Sequence, residues 1–165
     1  MEVVLGIDPA STRIAYVALA EDDSYLAGAN KKLGKSGGEA CAAAWKYMSD
    51  VVATIYGQWP DSSVSAFIES PVVGVGGVRS TMVQCFTSGA IQGLLHERGI
   101  QSQVANVSSW KKHVGGKGNA TKDEVAEYLR RGWPAIYREA GGNQDIYDAA
   151  CIAFFGRQKS TQGLV

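Results

Sequence analysis

Apolar residues fall in short unbroken runs over the first part of the chain and at helical spacing afterwards. Val3-Val4-Leu5-Gly6-Ile7 predicts a buried strand over 3–8, because an apolar run of this length bounded by turn formers fits a strand covered on both faces. Ile14 to Ala18 predicts its hairpin partner over 13–20, and a third strand is expected over 24–31. After a flexible connection at Gly34 to Gly38, the residues Ala40, Ala43, Ala44, Tyr47, Met48, Val51, Val52 and Ile55 recur at the period of a helix over 38–57. Pro60-Asp61-Ser62-Ser63 is a turn, and Val64 to Glu69 a fourth strand.

A glycine-rich loop then runs to Gly77, and a helix over 79–98 is stopped by Gly99. A short strand is expected at Gln103 to Val107, then a short helix through His113 capped by Ser108 or Ser109. Gly115 to Asn119 is a loop, and Thr121-Lys122-Asp123-Glu124 has capping-box spacing, opening a helix through Arg131. A last helix covers 144–158. Three strands in hairpin order followed by alternating helices and strands imply an α/β three-layer domain. Its sheet is mixed and five-stranded, with an antiparallel N-terminal meander, and one domain spans 1–165.

This pattern puts carboxylates in costly places. Asp8 closes the first strand and Glu69 the fourth, each delivered by apolar residues into the middle of a sheet. Asp145 and Asp148 stand three apart on one helical face, ahead of the apolar run Ala149 to Phe155 that must pack on the sheet. Each acid alone has an ordinary explanation, such as a turn acceptor, a strand-end surface residue or a favourable charge in a first helical turn. Together they make the oxygen-ligand set of a two-metal phosphodiester site. Oxygen donors select Mg²⁺ or Mn²⁺, and two ions about 3.5–4 Å apart serve an in-line displacement.

Composition narrows the classes. The 165 residues are 45% hydrophobic and 19% charged, with no net charge, as in an ordinary soluble domain. No run is long enough for a membrane span, no signal peptide is expected, and a cytoplasmic setting (or an organellar nucleoid) follows. Cys41, Cys85 and Cys151 are unpaired in spacing and expected as core packing. His96 and His113 read as structural or phosphate-facing rather than as metal ligands. Between Ser70 and Ala120 the single acid Glu97 faces Arg79, Arg98, Lys111, Lys112 and Lys117, a locally basic middle that suits a polyanion or is a solvated surface.

Gly6-Ile7-Asp8-Pro9-Ala10-Ser11, Ile68-Glu69 and Asp145-x-x-Asp148-Ala149-Ala150 resemble the RuvC family of Holliday junction resolvases. Trp110 to Val125 is similar to that family's Lys- and Gly-rich segment, and Ser88-Gly89-Ala90 fits the helix after its second acid. The resemblance implies an RNase H-like fold and a homodimer that nicks four-way DNA junctions symmetrically with two Mg²⁺ ions per site, Mn²⁺ substituting. By residue, it implies catalytic and metal-binding roles for Asp8, Glu69, Asp145 and Asp148, with Asp8 bridging the ions. It matches Lys111 and Lys122 to basic residues that support DNA binding and catalysis, and Lys112, Lys117, Arg79 and Ser80 are expected to bind DNA beside them. Lys111, Lys112, Lys117 and Lys122 also form an acid-free basic cluster with glycines that let backbone approach phosphate. One departure stands out: Ser70-Pro71-Val72-Val73-Gly74-Val75-Gly76-Gly77 lacks the aromatic wedge of bacterial members, leaving Pro71, Val72 or Val73 as an apolar substitute.

Three other readings compete. Another RNase H-like nuclease, acting on branched DNA or RNA–DNA hybrids, would use the same acids. A nucleotide-binding protein of the actin and sugar-kinase type also places an acid after its first strand, but it needs two such halves and a better phosphate loop than Gly74-Val75-Gly76-Gly77. A DNA-binding module without activity has no use for four mutually repelling acids. The apolar residues Met82, Phe86, Ile91, Leu94 and Leu95 of helix 79–98 exceed what one face needs and support the dimer.

Overall fold

The computed structural model describes residues 1–30, 33–34, 37–73 and 77–161. Its strands are β1 (Glu2–Pro9), β2 (Ile14–Ala20), β3 (Tyr25–Asn30), β4 (Ser63–Glu69) and β5 (Gln101–Ala105). Its helices are α1 (Gly37–Gln58), α2 (Gly77–Glu97), α3 (Val107–Gly115), α4 (Lys122–Gly132), α5 (Pro134–Ala140) and α6 (Gln144–Thr161). The sheet order is β3-β2-β1-β4-β5. β1–β2 and β2–β3 are antiparallel and β1–β4 and β4–β5 parallel, so the expected mixed sheet with its meander is present.

Two cores sandwich the sheet. Val3, Leu5 and Ile7 of β1 and Ala66 and Ile68 of β4 pack beneath α1 and α2, with Met48, Ile55, Ile91 and Leu94. Val4 and Phe67 face the other way, onto α6 and the α3–α5 layer, with Trp110, Leu129, Ile136 and Ile152. Since strand side chains alternate faces, Gly6 and Asp8 share the α6 face with Val4, and Glu69 shares it with Phe67. The parallel register pairs Ile7 with Ile68, which sets Asp8 and Glu69 side by side on adjacent strands.

Gly6 lets α6 approach the sheet. A Cβ built there would lie 2.2 Å from the Ala149 carbonyl oxygen and 2.4 Å from the Ala153 nitrogen. Ala149 and Ala153 are one turn apart, so α6 crosses β1 on its smallest residues. Asp145 and Asp148 lie in the turn before that crossing, and this contact carries them toward Asp8.

Several expectations shift. The fifth strand ends at Ala105 rather than spanning 103–107, and Val107 already belongs to α3. The cap of α3 is Asn106, whose side-chain oxygen accepts from the Ser108 N–H (2.9 Å) and hydroxyl (2.7 Å); neither Ser108 nor Ser109 is the cap. The capping box at Thr121 and Glu124 forms as expected. Helix α5 adds an element to the expected set: Pro134 opens it and left-handed Gly141 closes it. Among the cysteines only Cys151 is core; Cys41 is partly buried and Cys85 exposed, because α2 presents that face outward. Lys31, Lys32, Lys35, Ser36 and the loop residues Gly74, Val75 and Gly76 lie outside the described residues, so the third strand is described only to Asn30, while the expected apolar substitutes Pro71, Val72 and Val73 are all described. Pro71 and Val72 are partly buried and Val73 is exposed. No described helix is long and apolar enough to cross a membrane.

Candidate active site

Three elements deliver the four acids to one place. Asp8 arrives on β1 and is buried; Glu69 arrives on β4, and Asp145 and Asp148 on the first turns of α6, all three partly buried. Burial pushes the Asp8 carboxyl well above the usual carboxylate range, and the charges of Glu69, Asp148 and Asp145 push it further. A side-chain hydrogen bond between Asp8 and Glu69 raises Asp8 further and lowers Glu69. Burial and the charge of Asp148 raise Glu69 in turn, against hydrogen bonds from Trp110 and Asp8 and the charge of Lys111. Asp148 is raised by burial, opposed by a hydrogen bond from Gln144 and the charges of Lys111 and Lys122. The four expected acids therefore share one electrostatic environment, which Lys111 and Lys122 offset in part.

They do not form a ready cage. Among the described residues, no three His, Cys, Asp or Glu side chains stand close enough to hold an ion between them. Three of the acids have other partners: Asp145 Oδ2 lies 3.2 Å from Arg13 Nε, Asp148 Oδ1 accepts from Gln144 Nε2 at 2.8 Å, and Glu69 Oε1 accepts from Trp110 Nε1 at 3.0 Å. The donor set still fits a hard divalent cation, being all carboxylate oxygen, and positive charge is what lowers the mutual cost of these buried acids.

The basic residues separate by position. Lys111 of α3 and Lys122 at the start of α4 both act electrostatically on the acids. Lys111 Nζ also stands 5.4 Å from the Trp110 ring centroid. Lys117 is diverted: its Nζ pairs with Glu124 Oε1 at 2.8 Å, and the carboxyl of Glu124 is lowered to about 2, first by that hydrogen bond. The expected acid-free cluster is therefore not acid-free, because the capping box turns Glu124 back over the loop. Lys112 and Arg79 are exposed and Ser80 partly buried; among the described residues no ion pair involves Lys112 or Arg79.

Of the histidines, His113 is structural, its ring edge-on to Tyr128 and Phe155, and burial lowers its pKa. His96 is exposed at the end of α2. Three residues reach the acids without having been singled out for it: Trp110, Arg13 and Gln144. Gln144 stands four before Asp148, a spacing readable as a helical pair. Trp110 and Arg13 act across the fold, and no local spacing announces them.

No family sequence profile and no curated protein sequence matches the chain. Solved structures do match in fold. The structure of Thermus thermophilus RuvC superposes with a TM-score of 0.76 at 20% identity, covering 98% of this chain and 96% of that one. T. thermophilus RuvC in complex with a Holliday junction substrate gives 0.74 at 17%, covering 99% and 97%. The yeast mitochondrial Holliday junction resolvase Ydc2 gives 0.57 at 15%, covering 92% and 77%. The expected RNase H-like α/β architecture is thus shared over nearly the whole chain.

Proposed function

We propose that the protein is a metal-dependent, structure-selective endodeoxyribonuclease that resolves four-way DNA junctions in recombination and repair. The observation that carries this reading is the convergence of Asp8, Glu69, Asp145 and Asp148 on one partly enclosed patch, with Lys111 and Lys122 at its rim. A protein gains no stability from facing buried carboxylates at one another. The likeness of fold to RuvC in complex with a junction substrate supports the choice of DNA form.

Asp8, Glu69, Asp145 and Asp148 would hold two Mg²⁺ ions, Mn²⁺ substituting. When bound, such ions supply Lewis acidity and a water activated for attack on phosphorus. The chain's own residues do the rest. Trp110 orients Glu69, while Lys111 and Lys122 offset the charge of the acids and hold phosphates beside them. Hydrolysis on this plan leaves 5′-phosphate and 3′-hydroxyl ends.

Symmetric nicking needs two sites, and α2 offers a surface to pair them. Val78, Met82 and Phe86 are 78%, 51% and 50% exposed, and with Val73, Thr81 and Cys85 they line a cavity of about 290 Å³. Large apolar side chains left in water at this density mark an interaction surface. A homodimer through this face is expected, and light scattering at micromolar concentration checks it: a monomer alone would refute the pairing.

The decisive experiment compares four-way, three-way, flap and RNA–DNA hybrid substrates with Mg²⁺, using Asp8→Asn as control. Paired symmetrical nicks in the four-way junction, absent with Asp8→Asn, are expected. Preference for the hybrid would favour the other RNase H-like reading. Cleavage undiminished in Asp8→Asn would remove the site assignment.

A further inference from the structure

Arg13 sits in the turn between β1 and β2, and its guanidinium holds Asp145 across the site at 3.2 Å. It is the more open partner, 52% exposed against 21% for Asp145. Both line a cavity of about 510 Å³ whose wall also includes Lys122, Asn143 and Gln144. This cavity holds two cations, Arg13 and Lys122, and one acid. That acid is one of the four at the candidate metal site, and among the described residues no three of them stand close enough to hold an ion. Turning Asp145 toward Asp8 would leave Arg13 and Lys122 facing each other across a cavity with no anion in it. A tetrahedral oxyanion there would satisfy both, and the guanidinium fork suits phosphate as well as carboxylate.

We propose that Arg13 is a positioning residue that exchanges Asp145 for a phosphate of the substrate backbone, so that the anion entering this cavity releases Asp145 toward the other acids of the metal site. The proposal rests on the nuclease reading. Its consequence is a positive coupling between anion and divalent cation, reciprocal as linkage requires. A permanent ion pair that merely tethers the turn to α6 predicts the opposite: losing it would loosen the acids and weaken metal binding.

The test uses the whole chain without DNA. Mg²⁺ affinity is read from the rise of melting temperature with Mg²⁺ concentration, in sodium sulfate or in sodium chloride of equal ionic strength, sulfate being the tetrahedral probe. In the wild type, sulfate is expected to lower the Mg²⁺ midpoint about fivefold, the low end of ordinary coupling. Arg13→Gln is expected to show a lowered midpoint already in chloride and no further response to sulfate. A wild-type midpoint equal in the two salts overturns the exchange. So does an Arg13→Gln variant that responds to sulfate as the wild type does, or one that binds Mg²⁺ more weakly. A melting transition for Arg13→Gln without Mg²⁺ establishes that the variant is folded. Coupling without cleavage of any DNA would refute the nuclease reading alone; cleavage without coupling would refute the exchange alone.

Discussion

The indole N–H of Trp110 donates to Oε1 of Glu69 at 3.0 Å, from a ring with no exposed surface. A fixed donor on one carboxylate oxygen leaves the other free for Asp8 or a metal, and groups that orient ligands in this way commonly matter about 10–100-fold. Trp110→Phe keeps most of the packing and deletes the donor. It is expected to cost about 1–2 kcal/mol of stability, within the usual range for a core truncation. Cleavage should fall at least about tenfold in kcat with little change in KM. Glu69 loses a hydrogen bond that lowers its pKa, so the acid limb of the pH–rate profile should move to higher pH. A profile superposable on the wild type's would show that Trp110 serves packing alone.

Asp8 places a stability cost at the centre of the sheet. Its folded pKa is raised above the ordinary value of 3.8, by burial first and then by Glu69. The folded state therefore favours the protonated form. The stability this group contributes is fully present below the unfolded value and is lost as pH rises through the raised folded value. Without divalent ions, Asp8→Asn should melt above the wild type near neutral pH, by several degrees if the relief is ~1–2 kcal/mol. The gap should close as pH falls toward about 4. Melting curves across that range with chelator present check this, and a variant less stable than the wild type at neutral pH would contradict it.

Much of this arrangement is legible in the sequence, and what is not has a common cause. Local periodicity exposes the strands that carry Asp8 and Glu69, the paired acids of α6 and the capping box of Thr121, because each is a pattern within about ten residues. The partners of those acids are set by the fold. Trp110 lies 41 residues from Glu69, and Arg13 meets Asp145 across most of the chain, so neither spacing carries a signal. Helix α5 escapes for another reason: with seven residues it has barely two turns of periodicity, although Pro134 and Gly141 punctuate its ends. The basic segment misleads because its charges look alike in sequence, while Glu124 neutralises Lys117 and leaves Lys111 to face the acids.

Gly6 is the position where the smallest change should do the most damage. A methyl group there would sit within 2.4 Å of backbone atoms of α6, which cannot move as a flexible side chain would. Gly6→Ala should displace α6 and cost ~3 kcal/mol or more, beyond ordinary overpacking because the clash is with backbone. Any folded fraction should also bind Mg²⁺ poorly, since Asp145 and Asp148 ride on the same helix. Chemical denaturation measures the first effect and Mg²⁺-dependent thermal shift the second. A fully stable Gly6→Ala protein would mean that α6 is not seated as described.

The last expectation separates two lysines that the sequence presents as equals. Lys111 lowers the pKa of both Glu69 and Asp148, so its ammonium acts where charge must be offset during phosphodiester hydrolysis. Lys117 instead pairs with Glu124 at the capping box, with both side chains substantially exposed, where an ion pair contributes little. Lys111→Gln should therefore lower kcat about 10²-fold, the scale of losing one charge-stabilising group. Lys117→Gln should leave kcat within about twofold and act, if at all, through weaker binding of the junction and a smaller salt dependence. Single-turnover cleavage at saturating enzyme isolates the first effect, and binding titrations at two salt concentrations isolate the second. Equal losses of single-turnover rate in the two variants would mean that the Lys117–Glu124 pair opens on the substrate and that Lys117 joins Lys111 at the acids.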